Sequence, residues 1–348
     1  MVAGPSRRSL VDDATLEHQA IYDSSNHHPQ NIGNRRKMKT IPHRVLAGTD
    51  RSASLLALGT SYFGQLRQTA PLLDGYAAMS GNLFDTAWEY GQEIDPGCCE
   101  RALGRWMRTR GVRDSVVLLV KGGRQPYCNP DRLEDQLSES MSRLNVDYID
   151  IYMMHRDDAT IPAAEFVDVL ASFVTRRLVR SYGFSNWTPK RVDEAAAYAQ
   201  AKGLPDARTI SNQLSLAVME RPLYTGCISS SDPASREWLR ARGLTLIPWS
   251  SQGRGVFTAI RRPEDLQHSR LGASWYSPHN VERLRRAQTL GQRRGVLPVN
   301  IALAWVLHQP FKTHPIIGPR NVAELGSSVD ALNVQLSNAE LSWLNLEQ

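Results

Sequence analysis

The stretch "SVVLLVKGGRQPYCNPDRLEDQLSESMSRLNVDYIDIYMMH" (115–155) decides the architecture. It opens with an apolar run, "SVVLLVK" (115–121), short and rich in β-branched residues, which reads as a strand covered on both faces. A helical period follows. In "NPDRLEDQLSESMSRL" (129–144), Leu133, Leu137, Met141 and Leu144 fall on one face, and Asn129 stands where an N-cap belongs. A second apolar run, "YIDIYMMH" (148–155), closes the unit. Strand, helix and strand in close succession form the repeat of a parallel sheet.

The alternation extends in both directions. Further strand candidates are "SLLALGT" (54–60), "NLFDTA" (82–87), "VRSYGFS" (179–185), "TISNQLS" (209–215), "LTLIPWS" (244–250) and "HPIIG" (314–318). Helical patterns span 98–109, 162–177, 188–202, 233–242, 278–309 with a break near Pro298, and 320–332; the terminal "LSNAELSWLNLEQ" (336–348) opens on a capping box from Ser337 to Glu340. Eight strands each followed by a helix predict an α/β chain folded as a (β/α)8 TIM barrel. An open doubly wound sheet would carry a GxGxxG turn after an early strand, and none occurs. "KTIPHRVLAGTDRSAS" (39–54) is expected to form a β-hairpin that closes the barrel floor. Residues 1–37, rich in Ser, Asn, His, Pro and Arg without a period, are expected to be a disordered extension, with a single barrel domain over 38–348. "SRRSLV" (6–11) is followed by the polar "DDATLEHQA" (12–20), so an export signal is not expected.

Composition narrows the function. With 41% apolar and 22% charged residues the chain can bury a sizeable core. There is no apolar run long enough for a membrane span. The net charge of +6 is spread along the chain with no basic tract interleaved with aromatics, so nucleic acid is not an expected partner. None of the 4 cysteines has CxxC spacing, which argues against a zinc site or a disulfide framework and for reduced thiols in a cytoplasmic protein. His27 and His28, in the extension, are read as solvated, and no metal is expected. The choice between monomer and homo-oligomer stays open.

In a barrel the chemistry collects where strands reach the C-terminal rim. The strand at 82–87 carries Asp85 and runs on through "FDTAWEYG" (84–91) to Tyr90; the next ends at Lys121, the next at His155, the next at Ser185 and Asn186, and the one after carries Gln213. Each polar group follows an apolar run, where burial without a partner costs about 1–3 kcal/mol. A phenol, with a reference pKa of about 10, donates its proton poorly near neutrality. Lys121 is expected to lower that value as a neighbouring cation, Asp85 to hold the lysine, and His155 to orient a substrate oxygen. Such a set protonates a carbonyl oxygen while something else delivers to its carbon, and in reverse it removes a proton from an alcohol. Trp88, Trp187 and Trp275 are candidate substrate-binding walls, since aromatic faces stack on sugar rings or line apolar pockets.

These motifs, with "LLVKGG" (118–123), "GFSN" (183–186), "PWSSQGRG" (248–255), "IALAWVLHQP" (301–310) and "PIIGPRNVAEL" (315–325), resemble the aldo-keto reductase superfamily from about residue 40 to the end. The resemblance implies a barrel that binds NADP(H), less often NAD(H), without a Rossmann domain. It implies a tetrad of Asp85, Tyr90, Lys121 and His155 with Tyr90 as general acid, and a nicotinamide carboxamide held by Ser185, Asn186 and Gln213. By the same resemblance Trp249 stacks on the nicotinamide, and Ser250, Gln252, Gly253 and Arg254 line the pyrophosphate. Thr60, Ser61, Gly318, Arg320 and Glu324 complete the cofactor set, with Arg320 on a 2′-phosphate. The chain departs from the family pattern at Ser251 and Gln252, where proline and leucine are usual, and at Ser328, where an asparagine is. "KGGRQPYCNP" (121–130), "MMHRDD" (153–158), "SNWTP" (185–189) and "SSDPASREWL" (230–239) look like members joined to sugar-type dehydrogenase domains, which implies a sugar- or polyol-like aldehyde or ketone as the small-molecule substrate. Two alternatives stand beside carbonyl reduction: a non-catalytic NADP-binding barrel serving as a regulatory or partner subunit, and internal redox on one substrate that gives epimerisation or dehydration.

Overall fold

The computed structural model describes residues 39–64, 66–92, 95–124, 126–258 and 269–347. The expected disordered extension, including His27 and His28, lies outside them. All eight expected strands are present: β3 (Ala57–Gly59), β4 (Leu83–Ala87), β5 (Val117–Gly122), β6 (Ile149–Met154), β7 (Val179–Phe184), β8 (Thr209–Ile210), β9 (Thr245–Leu246) and β10 (Ile316–Ile317). They form one parallel sheet in the order β10-β3-β4-β5-β6-β7-β8-β9. It closes where Leu246 N–H donates to Lys312 O (2.9 Å), His314 N–H to Leu246 O (2.9 Å) and Ile316 N–H to Pro248 O (3.0 Å).

Strand alternation divides the core into two layers. Ala57, Leu83, Val117, Leu119, Ile151, Met153, Ile247 and Ile316 pack together inside the barrel. Their neighbours Leu58, Phe84, Leu118, Val120, Tyr152 and Met154 pack outward in the larger cluster shared with the helices. The expected hairpin is β1 (His43–Val45) paired antiparallel with β2 (Ser52–Ser54). Its Leu46 and Ala53 join the inner cluster, so the hairpin fills the end of the barrel opposite the rim.

The helices follow the sequence periods: α2 (Cys98–Arg110), α3 (Pro130–Leu144), α4 (Ala163–Thr175), α5 (Pro189–Lys202), α6 (Pro233–Arg242), α8 (Pro278–Arg294), α9 (Pro298–Leu307), α10 (Val322–Asp330) and α11 (Asn338–Leu344). Asn129 caps α3 by accepting from Asp131 N–H, and Leu133, Leu137 and Leu144 are buried beneath it. Gly295 ends α8 in the left-handed region, and Pro298 opens α9 in its first turn, which is the break read in the sequence. Two helices escape the sequence reading. In α1 (Leu66–Ala78) an internal proline, Pro71, interrupts the pattern that would announce a helix. The other, α7 (Arg270–Trp275), is a helix of only 6 residues just ahead of α8, too short to show a period.

Candidate active site

The same alternation sets the rim. Asp85 lies two residues beyond Leu83, Lys121 two beyond Leu119 and His155 two beyond Met153, so each caps a file of inward-facing apolar side chains. Parallel pairing sets their heights: Asp85 is level with Leu119, and Lys121 with Met153. Asp85, Lys121 and His155 are 3%, 2% and 7% exposed, so their charges must be met by protein or ligand rather than water.

Lys121 Nζ donates to Asp85 Oδ1, and Tyr90 O–H donates to Asp85 Oδ2 at 3.5 Å. The Lys121 ammonium stands 5.6 Å from the Tyr90 ring centre. The Tyr90 and His155 rings meet edge to face, 5.9 Å between centroids. Tyr90 comes to this point through a tight turn, with Trp88 N–H on Lys121 O (2.8 Å) and Tyr90 N–H on Ala87 O (3.0 Å). Gly91 completes the turn at φ +84°, and a Cβ there would collide with Cys98 Sγ. Strand alternation and this turn together bring Asp85, Tyr90, Lys121 and His155 to a single mouth.

Their electrostatics differ from the expectation. The Tyr90 phenol lies well above its ordinary value, because burial and then the Asp85 and Glu89 carboxylates disfavour the phenolate more than Arg156 and Arg254 favour it. The expected lowering by Lys121 is not found: Asp85 sits between the two groups, takes the ammonium and accepts from the phenol. Tyr90 is thus a protonated donor. Burial raises the Asp85 carboxyl against the opposing pull of Lys121. His155 is held well below its usual range by burial and then by Lys121, Arg156 and Arg124, which leaves a neutral ring.

Sequence reasoning missed Glu89. Its Oε1 is 3.1 Å from His155 Nδ1, and its Oε2 is 2.7 Å from Arg124 Nε. The three residues follow three successive strands, β4, β5 and β6. Glu89 beside Tyr90 reads as an ordinary loop acid in the sequence; only the barrel brings His155 to it.

The cofactor candidates fall around the mouth. Ser185 Oγ donates to Ser211 O (2.6 Å), and Asn186, at φ +60°, donates to Ser185 Oγ (3.0 Å) and His155 O (3.1 Å). Gln213 donates to Ser215 Oγ (2.9 Å) and accepts from Ser229 Oγ (2.6 Å). Trp249 is half-buried, and its indole N–H has no hydrogen-bond partner among the described residues; the buried Thr60 hydroxyl has none among them either. Ser61 and Gly318 are exposed. Ser250 and the stretch Gly253, Arg254 and Gly255 have positive φ, and left-handed backbone is one ingredient of the concavities in which backbone N–H groups meet anions. Arg254 Nε donates to Ser250 Oγ at 2.9 Å, and no carboxylate among the described residues pairs with its guanidinium. Two of the departures from the family pattern meet: Gln252 Nε2 donates to Ser328 Oγ at 3.1 Å, tying this loop to α10. Arg320 clasps Glu324, Nη2 to Oε1 at 2.8 Å, at the start of the same helix.

The tryptophans separate. Trp88 donates to Glu139 Oε2 at 2.8 Å and meets the Tyr127 ring edge-on at 5.6 Å. Trp187 is not a pocket wall. It is fully buried, stacked on Phe184 at 4.1 Å with the Arg191 guanidinium 5.0 Å from its ring centre, and its N–H goes to Arg156 O; both faces are covered. Trp275 is likewise fully buried in α7, and no described contact joins it to the four rim residues.

Comparisons with known proteins identify the family. The sequence model of the Aldo/keto reductase family matches residues 55–345. Norsolorinic acid reductase stcV of Emericella nidulans is 27% identical over 335 residues, covering 86% of this chain and 79% of that protein. The uncharacterized oxidoreductase YrpG of Bacillus subtilis is 28% identical over 320 residues, covering 87% and 94%. Aldo-keto reductase yakc [NADP(+)] of Schizosaccharomyces pombe is 27% identical over 270 residues, covering 73% and 76%. A closed eight-stranded barrel, with a lysine, an aspartate, a tyrosine and a histidine converging at its rim and a family match over most of its length, makes this chain a member of the aldo/keto reductase family.

Proposed function

We propose that the protein is an NADP(H)-dependent oxidoreductase that interconverts a sugar- or polyol-like carbonyl compound and its alcohol, with Tyr90 as the proton donor to the carbonyl oxygen. The observation that carries this reading is the buried chain from Lys121 through Asp85 to the Tyr90 hydroxyl, with His155 at the same mouth. A binding module has no use for a protonated phenol over a buried ion pair. A carbonyl reductase needs a donor that stays protonated until an oxygen lone pair arrives, and burial holds Tyr90 in that state. When bound, the nicotinamide would supply the hydride. Trp249 would face its ring, Ser185, Asn186 and Gln213 would hold its carboxamide, and the left-handed backbone at 250 and 253–255 with Arg254 would take the pyrophosphate. NADP(H) is preferred to NAD(H) because Arg320 stands at the N-terminal end of α10, where a guanidinium and the helix dipole suit a phosphate, and because one relative carries NADP(+) in its name. A cytoplasmic location belongs to the same proposal and rests on the cysteine spacing; no helix among the described residues is long and apolar enough to cross a membrane.

The test is Tyr90→Phe. The variant keeps NADPH binding, read by quenching of protein fluorescence, while carbonyl reduction falls by about 10²–10⁴-fold. Turnover within a few-fold of wild type would remove Tyr90 from the chemistry. Tight NADPH binding with no reduction of any aldehyde, ketose or inosose by the wild-type protein would favour the non-catalytic barrel.

A further inference from the structure

The turn that carries Tyr90 is held from behind by a residue outside the four that meet at the mouth. Arg143 lies in the last turn of α3, and helical side chains lean toward the N-terminal end of their helix, which for α3 is the end that follows β5 at the rim. Its Nη1 donates to Trp88 O at 3.0 Å and to Glu100 Oε2 at 3.2 Å, and its Nη2 donates to Glu139 Oε2 at 2.7 Å. The same Glu139 oxygen accepts the Trp88 indole N–H at 2.8 Å, and the guanidinium stands 5.6 Å from the Trp88 ring centre. Arg143 thus holds the Trp88 backbone directly and the Trp88 ring through Glu139. Gln92 Nε2 shares Trp88 O at 3.2 Å. Glu100 is fully buried, so the guanidinium is pinned by a carboxylate that has no water to turn to. Gly97 covers the arginine stem, and a Cβ there would collide with it.

Trp88 stands two residues before Tyr90. On the strand side, Trp88 N–H is tied to Lys121 O and Tyr90 N–H to Ala87 O. Arg143 supplies the opposing tie from the side of α2 and α3, so the Trp88 backbone is fixed at both its N–H and its C=O. The Tyr90 hydroxyl reaches Asp85 Oδ2 at 3.5 Å, the outer limit of a hydrogen bond, so a small swing of the turn makes or breaks that contact. We propose that Arg143 is a positioning residue for proton donation: by clamping Trp88 it sets the turn so that the Tyr90 hydroxyl stays over Asp85. It makes no described contact with Asp85, Tyr90, Lys121 or His155, and acts through Trp88. Glu139, half-exposed on the outer side, is the second member of the clamp. The effect on turnover rests on the carbonyl-reductase reading above; the effect on the position of Tyr90 does not.

Two measurements on the full chain test it. The first is kinetic. Arg143→Lys keeps a charge opposite Glu100 but loses the planar fork that meets three acceptors at once. Its kcat for carbonyl reduction is expected to fall about 10–100-fold, the range for a small misplacement of a reacting group, with NADPH affinity within about threefold of wild type. In a Tyr90→Phe background the same substitution is expected to lower the residual rate by less than about threefold, because it acts through a hydroxyl that is already gone. A general weakening of the fold lowers both backgrounds alike, so equal losses overturn the proposal. Glu139→Gln strands no buried charge and serves if the Arg143 variant does not fold; it is expected to lose about threefold to tenfold in kcat, the range for weakening one hydrogen bond, and an unchanged kcat overturns the proposal. The second measurement needs no turnover. In carbon NMR of protein labelled at tyrosine, the Tyr90 signals are those lost in Tyr90→Phe. They are expected to move in Arg143→Lys and Glu139→Gln, while those of Tyr182 in β7 and Tyr198 in α5 stay in place. Unmoved Tyr90 signals overturn the proposal. If the wild type reduces no carbonyl compound, the carbonyl-reductase reading fails, and the Tyr90 signals alone decide whether Arg143 sets this turn.

Discussion

Replacing Lys121 by methionine isolates the interaction on which the rim depends. The Lys121 and Asp85 side chains are 3% and 4% exposed, so the carboxylate has almost no water to fall back on. Methionine keeps the length and volume of the stem and deletes the charge. Breaking one side of a buried pair typically costs about 3–5 kcal/mol, because the remaining charge is left uncompensated. For a chain of this length that corresponds to a fall in Tm of roughly 4–8 °C. The pH dependence has a definite sign. Burial already raises the folded-state Asp85 carboxyl, and Lys121 opposes the rise; without the lysine it rises further. A carboxyl raised on folding favours the folded state below its unfolded pKa, and that contribution is lost as pH climbs through the folded value. The deficit of Lys121→Met relative to wild type should therefore be largest at neutral pH and shrink on acidification. The double variant Asp85→Asn/Lys121→Met removes the stranded charge and should recover most of the loss. Thermal and urea unfolding of the four proteins of the cycle, at neutral and acidic pH, measure this directly. A Lys121→Met deficit below about 1 kcal/mol at neutral pH, or a deficit that grows in acid, would refute the picture of a desolvated carboxylate held by one ammonium.

Other substitutions probe different parts of the rim. Trp187→Ala should destabilise the fold by about 3–5 kcal/mol through the cavity it leaves between Phe184, Phe166 and Arg191 while changing substrate KM little in the protein that remains folded; a large KM effect without a Tm effect would restore Trp187 to the pocket. Arg320→Ala should weaken NADPH by about tenfold and leave NADH unchanged, as losing a hydrogen bond to a phosphate predicts; an unchanged ratio of kcat/KM between the two cofactors would mean that Arg320 serves only its pair with Glu324.

Much of this protein was legible in the sequence, and for one reason: periodicity is local. Eight short apolar runs separated by helical patterns were enough for the barrel, because a strand buried on both faces and a helix buried on one leave different marks within ten residues. Two-residue alternation also carried the rim, since Asp85, Lys121 and His155 continue files begun by Leu83, Leu119 and Met153. Where a local mark was missing, the reading failed: Pro71 hid α1. Electrostatics and contact were settled only in three dimensions. That Asp85 stands between Lys121 and Tyr90 and keeps the phenol protonated, that Trp187 is sealed between Phe184 and Arg191, and that Glu89 faces His155 while Arg124 holds it from behind, all depend on side chains from neighbouring strands and on how much water the closed barrel leaves them. Desolvation and pairing are properties of the assembled mouth, and no window of sequence contains them.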